Sequence, residues 1–184
     1  MTYAPQQLAN ATAALEVVRL RGLDDITAQQ VLAGMLTECT LWNYSNPIYP
    51  NTVPLGDGLP PVELAPSTKK SCGVFQQQPH VPAWWGPSLA TEALQAAGFM
   101  NVHNATGYFL DALVQVPRTA QPWREIQAVQ GSEYNGNGLP YAANYQGNWV
   151  EAGRLLTVLR FTSPGDPTPL GILEWISATE RTML

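Results

Sequence analysis

Apolar residues recur with a helical period along the first forty positions. Leu8, Ala11, Leu15, Val18 and Leu20 predict an amphipathic helix over residues 4–21. Gly22 follows as a C-terminal stop. Asp24-Asp25-Ile26-Thr27 reads as a turn with capping side chains. A second helix is predicted over about residues 28–40, where Leu32, Met35, Leu36 and Cys39 stand at i, i+3, i+4 and i+7. Glu38 lies beside that stripe in the last turn. A carboxylate there opposes the helix dipole, and departures from local rules gather at functional sites.

The period then disappears. Residues 43–70 hold six prolines among many Asn, Ser and Thr, which predicts a long irregular loop with room for a short hairpin. Ser71 to Gln76 is strand-like, and Trp84-Trp85-Gly86-Pro87 sets two aromatics before a helix-breaking pair. Helices are predicted over about residues 88–97, 105–116, 122–130 and 141–159. The second of these has a core stripe of Phe109, Ala112, Leu113 and Val116, and Pro122 opens the third at a position where a missing N–H costs nothing. The last carries Tyr145, Trp149, Ala152, Leu156 and Leu159 after a Gly/Asn-rich loop over 131–140. Pro164-Gly165-Asp166-Pro167 divides a main domain, 1–162, from a segment 163–184 that is either a packed final helix or a linker.

The composition narrows the partner. Only 12% of the 184 residues are charged and the net charge is −5, with no Lys/Arg run, so phosphate neutralisation and nucleic-acid binding are not expected. No apolar run approaches a membrane span, and no signal peptide is visible. A surface whose polarity comes from Asn, Gln, Ser, Thr and aromatics suits a neutral, hydroxyl-rich ligand, or equally a partner chain. Two cysteines, Cys39 and Cys72, with two separated histidines give no zinc pattern, and no metal or cofactor is expected. A thiol nucleophile with His80 is a minor alternative. Asn10-Ala11-Thr12 and Asn104-Ala105-Thr106 match the glycosylation pattern by chance.

Glu38 is the leading chemical candidate. A carboxyl group can protonate a glycosidic oxygen at neutral pH if an apolar pocket raises its pKa, and Leu36, Leu41, Trp42 and Phe75 could line one. A glycosidase normally adds a second carboxylate. Asp57, between two glycines, and Glu63 are the candidates, with Asp57 first a turn residue and second a water-orienting group. Gly73 allows a ligand or a second backbone to approach closely. Gln76 offers an amide to a sugar, and Trp84, Trp85, Tyr134, Tyr141 and Tyr145 are possible platforms for sugar rings, while Trp149 and Phe109 belong to packing.

Taken in order, these motifs resemble a known superfamily. They are Glu38-Cys39-Thr40-Leu41-Trp42-Asn43; Ser71-Cys72-Gly73-Val74-Phe75-Gln76; Gln77, Pro79 and Trp85-Gly86; Phe109 to Leu113; and Ala128-Val129-Gln130-Gly131-Ser132 followed by Tyr141 or Tyr145. The chain looks like the lysozyme-like domains of goose-type lysozymes and soluble lytic transglycosylases, in particular their actinobacterial and actinobacteriophage branch, over residues 8–160. The resemblance implies a mainly helical α+β lysozyme-like fold, with a small β-hairpin beside the catalytic helix. It implies cleavage of peptidoglycan glycan strands by Glu38, with Ser71, Gly73, Gln76, Trp85, Gln130, Tyr141 and Tyr145 binding substrate. It also implies a phage lysin or tail protein, with other lysin domains or tail proteins as partners. Cys39 stands where the family has Ser, and Cys72 fills a variable position. Because the two segments lie side by side in the resembled fold, a Cys39–Cys72 disulfide or a thiol contact is implied. The loop over 44–70 is longer than usual and Lys69-Lys70 replaces polar or acidic residues, which weakens the case for a second carboxylate. A non-catalytic tail or wall-binding module on the same fold is the alternative of a different class.

Overall fold

The computed structural model describes residues 2–58, 70–79, 92–130 and 142–161. They are mainly helical, and none of them forms a strand. Six helices follow in order: α1 Pro5–Leu20, α2 Asp25–Cys39, α3 Glu92–Phe99, α4 Val102–Leu113, α5 Pro122–Gln130 and α6 Ala142–Phe161. A 3-10 turn, Pro50–Leu55, interrupts the long loop. No described helix is long and apolar enough to cross a membrane. The segment 163–184, expected as a final helix or a linker, and the first residues of the helix expected over 88–97 lie outside the described residues.

Two helices start earlier than their apolar stripes suggest, because a polar side chain starts each one. Asp24 Oδ1 accepts from the Thr27 N–H (2.8 Å) and hydroxyl (2.6 Å), so α2 begins at Asp25 rather than near 28. Asn101 Oδ1 accepts from the Asn104 N–H (3.0 Å) and starts α4 at Val102. Gly22, at φ +63°, ends α1 as expected.

The largest difference concerns α2. Its residues Val31 to Leu36 are all buried. The middle of the helix is therefore buried on every face, and not along a single stripe. Helices α1, α4, α5 and α6 pack against it. Along α6 the contacts run antiparallel to α2. Arg160 Nη1 binds Asp25 Oδ2 (2.6 Å), Gln29 Nε2 donates to the Trp149 carbonyl (2.7 Å), and Asn148 Nδ2 donates to Thr37 Oγ1 (3.0 Å). Along α5 they run parallel. Gln30 Nε2 reaches the Pro122 carbonyl (3.0 Å) and Glu125 Oε2 (2.8 Å), and Gly34 leaves room for Ile126 one turn on.

The expected strand over Ser71 to Gln76 is instead a tight reversal. Cys72 and Gln77 exchange backbone hydrogen bonds (3.0 and 2.9 Å), and Gly73 N donates to the Tyr44 carbonyl (2.8 Å), giving two isolated antiparallel bridges. Gly73 at φ +79° and Gln76 at φ +50° break the extended path. The apolar pair between them is buried rather than alternating. Phe75 stacks on Phe109, with centroids 4.5 Å apart and planes 6° from parallel, and touches the space beside Gly34.

At Gly73 a Cβ would stand 2.2 Å from the Phe99 carbonyl oxygen. The close neighbour is thus the end of α3, a second backbone. Gly73→Ala should lose about 2–4 kcal/mol in chemical denaturation. Gly58→Ala, at φ +70° with open space around it, should lose only about 1 kcal/mol. Equal losses would show that the contact with Phe99 does not matter.

Candidate active site

Glu38 sits in the last turn of α2. The fully buried Tyr145 of α6 donates its hydroxyl hydrogen to Glu38 Oε1. Burial pushes the Glu38 carboxyl up to about 7, against the smaller downward pull of the Tyr145 hydrogen bond. Among the described residues no cation pairs with it. The C-terminal end of a helix disfavours the same negative charge. The result is a carboxyl that changes protonation near neutral pH while one oxygen is held by a fixed donor. That is what a group needs in order to give a proton and take it back.

The chain leaves α2 through two consecutive left-handed residues, Thr40 (φ 49°) and Leu41 (φ 68°). Side chains of α1 hold this unusual path. Gln7 Nε2 donates to the Thr40 carbonyl (2.6 Å), and Asn10 Nδ2 donates to the Leu41 carbonyl (2.8 Å). Asp57 belongs to the same clamp. Its Oδ2 accepts from the Asn43 N–H (2.6 Å) and from Asn10 Nδ2 (2.8 Å), and no hydrogen bond joins it to Glu38 or Tyr145. Its carboxylate thus has a structural role, folding the loop back onto α1.

The two cysteines are free and buried, so the disulfide suggested by the resemblance is not formed. Each thiol has settled on its own carbonyl. Cys39 Sγ lies 2.9 Å from the Val74 oxygen, and Cys72 Sγ lies 3.7 Å from that of Ala96. Burial raises the Cys39 thiol strongly and pushes Cys72 up to about 12, which leaves both protonated and poor nucleophiles. Of the remaining expected binders, Ser71 gives its carbonyl to Asn46 Nδ2 (2.9 Å), and Gln76 turns its amide onto the Gly73 carbonyl (3.0 Å). Trp85 and Tyr141, with Trp84, Tyr134, Glu63 and His80, lie outside the described residues. Lys70 is engaged with Glu92 (2.8 Å). No group of three or more His, Cys, Asp or Glu able to hold a metal ion occurs among the described residues.

Helical register puts two glutamines of α5 at the level of the Glu38–Tyr145 pair. Gly34 of α2 faces Ile126 of α5. One turn further along both parallel helices, Glu38 stands level with Gln130. Trp123 of α5 meets Trp149 of α6 edge to face, with centroids 6.0 Å apart. One turn towards the α5 C-terminus and the α6 N-terminus, Gln127 stands level with Tyr145. Gln130 was expected at the site. Gln127 was not, although its place at i+4 from Trp123 and i+3 before Gln130 was readable. What was missing was the knowledge that this face of α5 turns towards α2 and α6. No protein-family model matches the chain, and no curated protein does either.

The fold favours neutral Glu38. Its contribution to stability is complete below the ordinary carboxyl value of 4.5 and is lost as the pH rises through about 7. Glu38→Gln should therefore gain on the wild type between about pH 5 and pH 8, by up to about 3 kcal/mol at the alkaline end. Urea denaturation across that range reads the difference; a difference that does not change with pH would mean the carboxyl is not desolvated. Neither thiol should react with an aromatic disulfide reagent before unfolding, and a reductant should leave Tm unchanged. Recovery of a Cys39–Cys72-linked peptide under non-reducing conditions would contradict this.

Proposed function

We propose that this chain cleaves peptidoglycan glycan strands between the two alternating amino sugars, with Glu38 as acid and then base, on a lysozyme-like fold. The observation that supports this most is the buried carboxyl raised to about 7 and held by the Tyr145 hydroxyl. Protonated Glu38 gives its proton to the glycosidic oxygen as the bond from that oxygen to the sugar's C1 breaks, and positive charge develops on the ring. The resulting carboxylate then withdraws a proton from the nucleophile that closes onto C1.

That nucleophile is the muramic 6-hydroxyl, which makes the reaction a lytic transglycosylation with a 1,6-anhydro product. The reading rests on the surroundings of Glu38: among the described residues no second carboxylate hydrogen-bonds to Glu38 itself, and Asp57 is committed to Asn43 and Asn10. A hydrolase would need a water-activating base there. Tyr145 is a positioning group that keeps one oxygen of Glu38 fixed and turns the other to the substrate. Such an enzyme fits a phage lysin or tail protein acting at the host wall alongside other lysin domains or tail proteins. The low charge of the chain also suits a non-catalytic wall-binding or tail module on the same fold.

The first test is clearing of purified cell walls. Glu38→Gln should fold and lose activity by about 10²–10⁴-fold, whereas a binding module would be indifferent. Activity of the wild type should fall as the pH rises through about 7, because the starting form is the protonated carboxyl. Mass spectrometry of the products should show the anhydro form; reducing-end products alone would make the enzyme a hydrolase.

A further inference from the structure

Among the described residues, four buried side-chain atoms have no hydrogen-bond partner: Asn43 Oδ1, Gln77 Oε1, Gln127 Oε1 and Gln130 Nε2. The first two belong to amides whose other end is bonded, Asn43 Nδ2 to the Met100 carbonyl (2.7 Å) and Gln77 Nε2 to the Ala105 carbonyl (3.2 Å). They are parts of the packed loops. Gln127 and Gln130 are different. Among the described residues neither side-chain amide has a partner, and both side chains are half-buried. They are i and i+3 on α5, neighbours on the helix surface. By register they stand at the level of Tyr145 and Glu38.

Packing does not account for them. An orphaned amide atom away from water costs stability, and an apolar side chain of the same shape would fill the space without that cost. The two atoms are also complementary, one an acceptor and one a donor, yet they are not bonded to each other. Each is left for a third group. A trans secondary amide supplies an N–H and a C=O pointing in opposite directions, so it can bond both at once, whereas a single hydroxyl would present both functions on one atom.

We propose that Gln127 and Gln130 form an amide-binding pair beside Glu38, with Gln127 accepting from the N–H of a ligand's secondary amide and Gln130 donating to its carbonyl. The pair rests on the proposed glycan-strand reading in so far as peptidoglycan supplies the ligand. That polymer has two sources of such amides, the acetamido groups of its sugars and the peptide bonds of its stems. The position beside Glu38 favours the acetamido group.

Calorimetric titration of the full chain carrying Glu38→Gln tests the proposal. The ligands are tri-N-acetylchitotriose, the same trisaccharide without its acetyl groups, and a stem tripeptide. In this background Gln127→Met and Gln130→Met keep the side-chain volume. Each should weaken the acetylated trisaccharide about tenfold, with Tm unchanged or raised, and leave the response to the deacetylated sugar unaltered. Should a Met variant fail to fold, Gln127→Asn or Gln130→Asn, which shortens the reach by one methylene, should show the same loss. A peptide-only response that disappears in the variants would keep the amide pair and move its source to the stem. Unchanged affinity for every ligand would overturn the pair and leave the two amides as water sites, and so would an absence of binding to the acetylated sugar and the peptide alike. Wall clearing by the wild type separates the two ideas: clearing with indifferent glutamines leaves the enzyme standing, and glutamine-dependent sugar binding without clearing leaves the pair standing as a binding site.

Discussion

A carboxyl group is held at the end of a helix whose middle is buried on every side, and most of the structure answers to that placement. A charge in such a position has to be neutralised, paired or reached by solvent. Among the described residues Glu38 has no cation beside it, and it is held by a neutral hydroxyl from Tyr145. The pair therefore stays poised between its two protonation states instead of being locked in the charged one. A lysine or arginine in place of Tyr145 would have made an ordinary buried ion pair with no reason to release or accept a proton near neutral pH.

The surroundings keep that end of α2 in place. α6 lies antiparallel along α2 and brings in Tyr145, while α1 reaches across with Gln7 and Asn10 to hold the two left-handed residues that follow the helix. Left-handed φ at Thr40 and at the buried Leu41 costs about 1–2 kcal/mol per residue and persists only where neighbours determine it. Asp57 joins this clamp through Asn43 and Asn10. The loop that follows the acid is thereby folded back on α1 from its first residues.

The thiols show how burial can overrule an implied bond. The segments that carry Cys39 and Cys72 do lie close, since Cys39 Sγ touches the carbonyl of Val74, two residues from Cys72. But the Val74-Phe75 pair has to be buried together, and the reversal that buries it turns the two sulfurs to different carbonyls. Gly73 makes that reversal possible, by its left-handed backbone and by the absence of a Cβ against Phe99.

The period of its apolar residues was enough to identify the helices, and Glu38 stood out because a carboxylate at a helix C-terminus needs a reason. Gly22 and Pro122 marked a helix end and a helix start correctly, because their backbone chemistry acts locally. The starts of α2 and α4 were misplaced for the same local cause: a single Asp or Asn side chain extends a helix beyond its apolar stripe. The rest was tertiary. Whether α2 shows one face or none to water depends on how many helices surround it. That Asp57 braces the loop depends on Asn10, 47 residues away. Which face of α5 turns towards α2 and α6 depends on Gly34 admitting Ile126 and on Trp123 meeting Trp149. Sequence determines propensities and caps, which act over a few residues. The proton-holding partner of Glu38 and the face that α5 turns inwards are set by contacts between helices distant in the chain, and only packing selects those.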